Sequence, residues 1–132
     1  RKFIKKKVTN HFNGKRLDAF KMKDIMDNSI FAPNEIGNRK IDCLRLYESS
    51  MCGAIPVICC SEEEFNFSFG KYNFGREPKR IPWLRFDDWE EASNECKEIL
   101  KHPSEIERLS KKNFKWWRDT IFNYKDRIKK AL

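Results

Sequence analysis

Arg45 and Glu48 are the residues of this chain whose types and spacing lend themselves most readily to chemistry. Standing three apart, they share one flank of any helix that contains them. A guanidinium offers a planar fork of donors that matches an oxyanion. A carboxylate accepts from two hydroxyls at once. On spacing alone the plainer reading is an ion pair, Arg45 with Glu48 or with Asp42, worth a few tenths of a kcal/mol. Upstream lie Gly37 and Asn38 in a polar stretch, residues 34–41. A glycine there lets the backbone approach a phosphate closely, or simply makes a turn. Glu62, Glu63 and Glu64 form a carboxylate run that can act on an acceptor hydroxyl or merely be solvated. His11 and His102 stand alone in the sequence. Of the cysteines, none forms a CxxC pair and neither His is near one, which argues against zinc. Cys52, Cys59 and Cys60 sit in apolar surroundings and read as packed core.

The elements that must position these residues follow from periodicity. Residues 42–52 read as a helix with Leu44, Tyr47 and Met51 on one apolar face. Gly53 stands where a helix end wants positive φ. Residues 54–60 form a short apolar run, long enough for a strand buried on both faces, with Pro56 at its start or on an outer edge. Before this unit, residues 5–12 suggest a short strand, Asn13-Gly14 a turn, residues 15–28 a helix and residues 29–32 a strand ended by Pro33. The helix would bury Ala19, Met22 and Met26, with Leu17, Phe20 and Ile25 widening the face.

After it, residues 61–82 show no clear element. A loop this long is functional or mobile. Phe65, Phe67 and Phe69 alternate with polar residues, as in a short strand or hairpin. Tyr72, Phe74, Arg76, Lys79 and Arg80 follow. This stretch reads either as a lid or acceptor contact, or as an insertion whose aromatics pack onto the sheet. Residues 83–86 form a last strand. A helix starting at Asp87 carries a capping box, Asp87 with Glu90, and buries Trp89, Ala92, Cys96 and Ile99. A terminal helix, residues 104–131, starts on a second box, Ser104 with Glu107, and carries Ile106, Leu109, Trp117, Ile121, Tyr124 and Ile128.

Helix and strand alternate, which predicts an α/β fold: a Rossmann-like parallel sheet covered by helices, joined by right-handed crossovers. Ligands of such sheets bind beyond the carboxyl ends of the strands. That rule puts residues 34–41 and the start of the central helix on the ligand rim.

A resemblance sharpens the reading. Arg45-Leu46-Tyr47-Glu48, then Gly53 and Ile55-Pro56-Val57-Ile58, resemble the signature of exostosin-type glycosyltransferases, and Asn28-Ser29-Ile30-Phe31-Ala32-Pro33 is similar to the strand that precedes it there. The likeness covers about residues 20–60 and continues loosely over residues 83–100. Cys43 and Tyr47 are similar to the ribitol xylosyltransferase branch. Ser49-Ser50 departs from the family, which has Ala and an apolar residue, and residues 34–41 carry more charge.

The resemblance implies the C-terminal, donor-binding half of a two-domain GT-B enzyme and an inverting transfer from a UDP-linked sugar to a glycan or similar hydroxyl. It implies that Arg45 and the helix start, with Asp42, Gly37 and Asn38 nearby, hold the diphosphate, and that Glu48 accepts from the ribose hydroxyls. The acceptor site and base would lie largely on the N-terminal half of the same enzyme, so residues 1–132 would form a single partial domain, inactive alone, with no metal. No catalytic residue is identified. Eukaryotic relatives are anchored in the Golgi with the anchor upstream, whereas bacterial and viral relatives are cytoplasmic.

Composition bounds the alternatives. The chain has 132 residues, net charge +8 and 14% aromatic content. That is enough for one domain, burying roughly two thirds of its unfolded surface, and too aromatic for disorder. The charge favours an anionic partner or is a solvated basic surface. Residues 1–7 are a basic edge. Lys111-Lys112-Asn113-Phe114-Lys115-Trp116-Trp117-Arg118 mixes cations and aromatics as nucleic-acid binders do. In a helix, however, adjacent Trp residues pack inward, and no RRM, KH or zinc-finger spacing is present, so nucleic acid is not the expected partner. An inactive transferase-like scaffold is the third class.

Overall fold

A computed structural model describes residues 18–35, 41, 43–69 and 81–132. The elements, in chain order, are α1 (Ala19–Asp27), β1 (Phe31–Asn34), α2 (Leu44–Met51), β2 (Ile55–Cys59), α3 (Glu62–Phe69), β3 (Leu84–Phe86), α4 (Trp89–Leu100) and α5 (Pro103–Ala131). The strands form a parallel three-stranded sheet in the order β1-β2-β3. Phe31 pairs with Ile55 and Asn34 with Ile58, while Val57 pairs with Leu84. This is a mixed α/β domain with helices over a parallel sheet, compatible with a Rossmann-like fold.

The central strand is buried on both faces, as its unbroken apolar run requires. Ile55 and Val57 point into one cluster with Phe31, Ala92, Cys96 and Leu109. Ile58 and Cys60 point into another with Leu46, Phe65, Phe69, Trp83 and Trp116. The first is covered by α4 and the start of α5, the second by α2, α3 and the middle of α5. Helix α5 therefore passes from one face of the sheet to the other. It does so beneath the amino end of β2, where the Ser110 hydroxyl donates to the Gly53 carbonyl. Gly53 has φ +73°, the left-handed region that glycine enters without a Cβ penalty.

The two serines that depart from the exostosin pattern are accounted for by packing. Ser49 and Ser50 are fully buried. Ser50 Oγ donates to the Leu46 carbonyl at 2.8 Å and accepts from Trp83 Nε1 at 2.9 Å. The pair locks α2 to the segment leading into β3, because a buried indole N–H needs an acceptor. Tyr47, Phe69 and Trp116 surround Trp83 at ring-centroid separations of 5.6, 5.0 and 5.1 Å, all edge-on or steeply inclined. Such aromatic contacts contribute about 0.5–1.5 kcal/mol each beyond area burial.

Several expectations are corrected. Residues 61–69 are not loop or strand: α3 runs over Glu62–Phe69, with Phe65 and Phe69 buried and Phe67 exposed. The alternating phenylalanines mimic a strand, but only the pair one helical turn apart faces the core. The apolar face expected for α2 is also wrong. Leu44 and Met51 are exposed, and Leu46, Ser49 and Ser50 are buried. A two-sided core has room beside it for an α2 face that combines one leucine with small hydroxyl residues.

On α1, only Met26 is fully buried, while Ala19 and Phe20 are exposed. Strand β1 starts two residues late and contains Pro33, tolerated at the edge of the described sheet. Pro56 is the second residue of the central strand, so it lies near the strand's start but not on an outer edge. The first capping box shifts by one: Asp88 is the N-cap and accepts from the Glu91 N–H. The second is absent, since α5 starts on His102 with Pro103 in its first turn and no side-chain cap. Trp89 is partly exposed rather than buried. In α5 the buried residues are Leu109, Asn113, Trp116 and Thr120, so Tyr124 and Ile128 are not core. The expected strand at residues 5–12, the turn at Asn13-Gly14, Leu17 and the basic edge lie outside the described residues.

Candidate functional site

Because the strands run parallel, their carboxyl ends, Asn34, Cys59 and Phe86, share one rim. Three described helices begin there: α2, α3 and α4. Each start aims free backbone N–H groups and the positive end of its dipole outward.

The start of α4 is closed. Asp88 Oδ1 accepts from the Glu91 N–H at 2.8 Å, and Glu91 Oε2 accepts from the Asp87 N–H at 3.0 Å. Glu90 and Glu91 sit in the first turn. The start of α3 is closed in a similar way: Ser61 Oγ accepts from the Glu64 N–H at 3.1 Å, and Glu62, Glu63 and Glu64 fill the first turn. The three glutamates are thus placed as helix-dipole partners, which accounts for the run without a catalytic role.

The start of α2 is different. Its N-cap is Cys43, in extended conformation, and no side chain caps it. Its first turn holds no acid. Arg45 is exposed in that turn, and Glu48 is exposed one turn on. At 100° per residue the two lie on the same solvent face as Leu44. Among the described residues, no ion pair joins Arg45 to Glu48. Gly37, Asn38 and Asp42 lie outside the described residues, as do Tyr72, Phe74, Arg76, Lys79 and Arg80.

Two residues that spacing did not single out fix this end of α2. Asn34, 4% exposed, ends β1. Its Nδ2 donates back to the Ala32 carbonyl at 3.0 Å, and its Oδ1 accepts from Cys43 Sγ at 3.4 Å. The last residue of β1 is thereby tied to the N-cap of α2. An Asn directly after a strand proline is the only signal of this in the sequence.

A second guanidinium stands on the rim. Arg85 Nη1 donates to the Cys60 carbonyl at 2.8 Å and to Asp87 Oδ1 at 2.7 Å. The Asp87 hydrogen bond holds its pKa above the ordinary guanidinium value. Arg85 is a strut between two strand ends, already matched to a carboxylate, whereas Arg45 faces solvent.

Cys60 and Cys96 are buried core groups and Cys43 and Cys59 pack partly against the core, whereas Cys52, expected as core, is only half-buried and lines a surface groove. Burial pushes the Cys52, Cys59 and Cys96 thiols up to about 11 and raises Cys60 as well. At the far end of the sheet a shallow groove of about 520 Å³ is lined by Asp27, Met51, Gly53, Ser110, Lys115 and Arg118, among others. Lys115 there already pairs with Asp119 at 2.6 Å. Trp116 is buried against Trp83, so it offers no face to a nucleic-acid base. Among the described residues, no His, Cys, Asp and Glu cluster could hold a metal ion, and no helix is long and apolar enough to cross a membrane.

Compared with known proteins, the chain matches no family model, no curated protein and no solved structure.

Proposed function

We propose that this chain is the donor-binding part of a glycosyltransferase, similar to the C-terminal half of exostosin-type GT-B enzymes. It would hold a UDP-linked sugar for inverting transfer to a glycan or similar hydroxyl. The observation that carries the reading is the open start of α2, the one described helix start on the rim with no side-chain cap, no acid in its first turn and an exposed arginine. Free N–H groups and a guanidinium together suit a diphosphate. Glu48, one turn on, is placed to accept from ribose hydroxyls. Gly37, Asn38 and Asp42 complete the proposed nucleotide-sugar site in sequence. The acceptor and the catalytic base belong to the N-terminal half of the same enzyme in this reading, so the domain binds donor without turning it over.

Calorimetric titration with UDP and a panel of UDP-sugars tests it. Saturable binding that weakens in both Arg45→Ala and Glu48→Ala is expected, and the panel ranks the sugars. Binding that neither substitution alters would overturn the site, and a folded domain that binds no nucleotide would overturn the donor reading.

A further inference from the structure

The distal half of α5 carries a second pattern, independent of the nucleotide reading. Phe114, Trp117, Ile121, Tyr124 and Ile128 recur at steps of three and four. On a helix this is the a/d repeat of a coiled-coil seam. The stripe runs over about 15 residues, roughly 21 Å from end to end, and spans roughly 80° of the helix. It is contiguous with the domain core through Trp117, which packs against the Trp83 and Trp116 cluster and stacks on Phe114. On either side of Trp117 the stripe reaches solvent: Phe114 is 45% exposed and Ile128 58%, with Ile121 partly buried between them.

The charges beside the seam have one sign. With Phe114 at position a, the flanking e and g positions bear Arg118, Lys125 and Arg127. The nearby carboxylates, Asp119 and Asp126, fall at position f, on the opposite side of the helix. Asp119 pairs with Lys115 at 2.6 Å and with Arg118 at 3.8 Å. Among the described residues, no carboxylate pairs with Lys125 or Arg127.

We infer that this face of α5 docks a helix of a partner protein whose own apolar seam is bordered by glutamates or aspartates. Flanking charges of opposite sign select partner and orientation at such seams. A second copy of this chain is disfavoured, because neither flank supplies a carboxylate to the other copy's cations. Phe122, 59% exposed at position b, lies outside the a/d seam and widens the exposed apolar face, so a lipid surface is the competing occupant that the vesicle comparison below tests.

The test uses the whole chain and two labelled four-heptad peptides with identical Leu and Ile seams. One carries Glu at every e and g position and the other carries Lys. Fluorescence anisotropy should show the Glu peptide binding at least about tenfold more tightly, a difference of about 1.4 kcal/mol. Ile128→Asp should remove about tenfold of that affinity while circular dichroism stays unchanged. The exposed double substitution Arg118→Glu with Lys125→Glu should reverse the peptide preference, and it leaves the core untouched. Equal binding of both peptides, binding of neither, or an unreversed preference would overturn the proposal. So would tighter binding to phosphatidylcholine vesicles carrying about one-quarter phosphatidylserine than to the Glu peptide, or a micromolar self-dimer in sedimentation equilibrium.

Discussion

The starts of α2 and α4 lie on the same rim of one sheet and are built in opposite ways. At α4, Asp88 and Glu91 accept from backbone N–H groups, Arg85 is clamped to Asp87, and the first turn is acidic. At α2 the cap is a cysteine that turns its thiol to Asn34, no acid follows, and Arg45 faces solvent. A helix start satisfied by its own side chains contributes to stability and repels anions. One left open forgoes about 1 kcal/mol of capping and remains available to a ligand. In the proposed reading, the difference between the two starts separates a structural role from a binding role on chemically equivalent ground.

The largest effect that would break this comparison is at Arg45. Arg45→Ala should weaken UDP binding at least tenfold, since a charge-assisted contact contributes about 1.5–3 kcal/mol. Being exposed, the substitution should change urea-unfolding stability by less than about 0.5 kcal/mol. Asp88→Ala should do the reverse, costing about 1 kcal/mol of stability and leaving nucleotide affinity alone. Urea denaturation alongside calorimetry reads both.

Cys43→Asp converts the open start into a closed one. Stability should rise by a few tenths of a kcal/mol to about 1, while UDP affinity falls. Unchanged affinity in a stabilised variant would mean that the open start is not where the anion sits.

A smaller effect concerns pH. In the folded chain, burial holds the Cys52, Cys59 and Cys96 thiols near 11, above the ordinary value of 9.0. The unfolded chain ionises first, so it binds fewer protons at alkaline pH. The resulting stability is fully present below pH 9.0 and is lost as pH rises towards about 11. Urea midpoints across that range should decline, and alkylation of these thiols in the native state should keep accelerating through it.

Much of the fold was legible in the sequence because periodicity and punctuation agree there. The apolar run before Cys60, the glycine at 53 and the alternation of elements led directly to a central parallel strand buried on both faces. What was not legible depends on partners distant in sequence. Ser49 and Ser50 look polar and are core, because Trp83 and the α2 backbone satisfy them. Phe65, Phe67 and Phe69 alternate as in a strand, and local pattern could not tell that α3 buries only two of them.

The candidate site was legible as residue types, Arg45 and Glu48, but not as geometry. The contrast between an uncapped α2 and a capped α4 depends on which residue becomes the N-cap, and the capping box read at Asp87 fell one residue short of it. Asn34, which ties β1 to Cys43, gave only a faint local signal.

The central claim is that the open start of α2 receives a nucleotide diphosphate. Amide chemical-shift mapping during a UDP titration tests it most directly. The account predicts saturable shifts largest at Leu44, Arg45 and Leu46, with Trp89 to Ala92 at the α4 start unmoved. Shifts centred on the α4 start or on the groove beside Ser110, or no shifts at any UDP concentration, would contradict it.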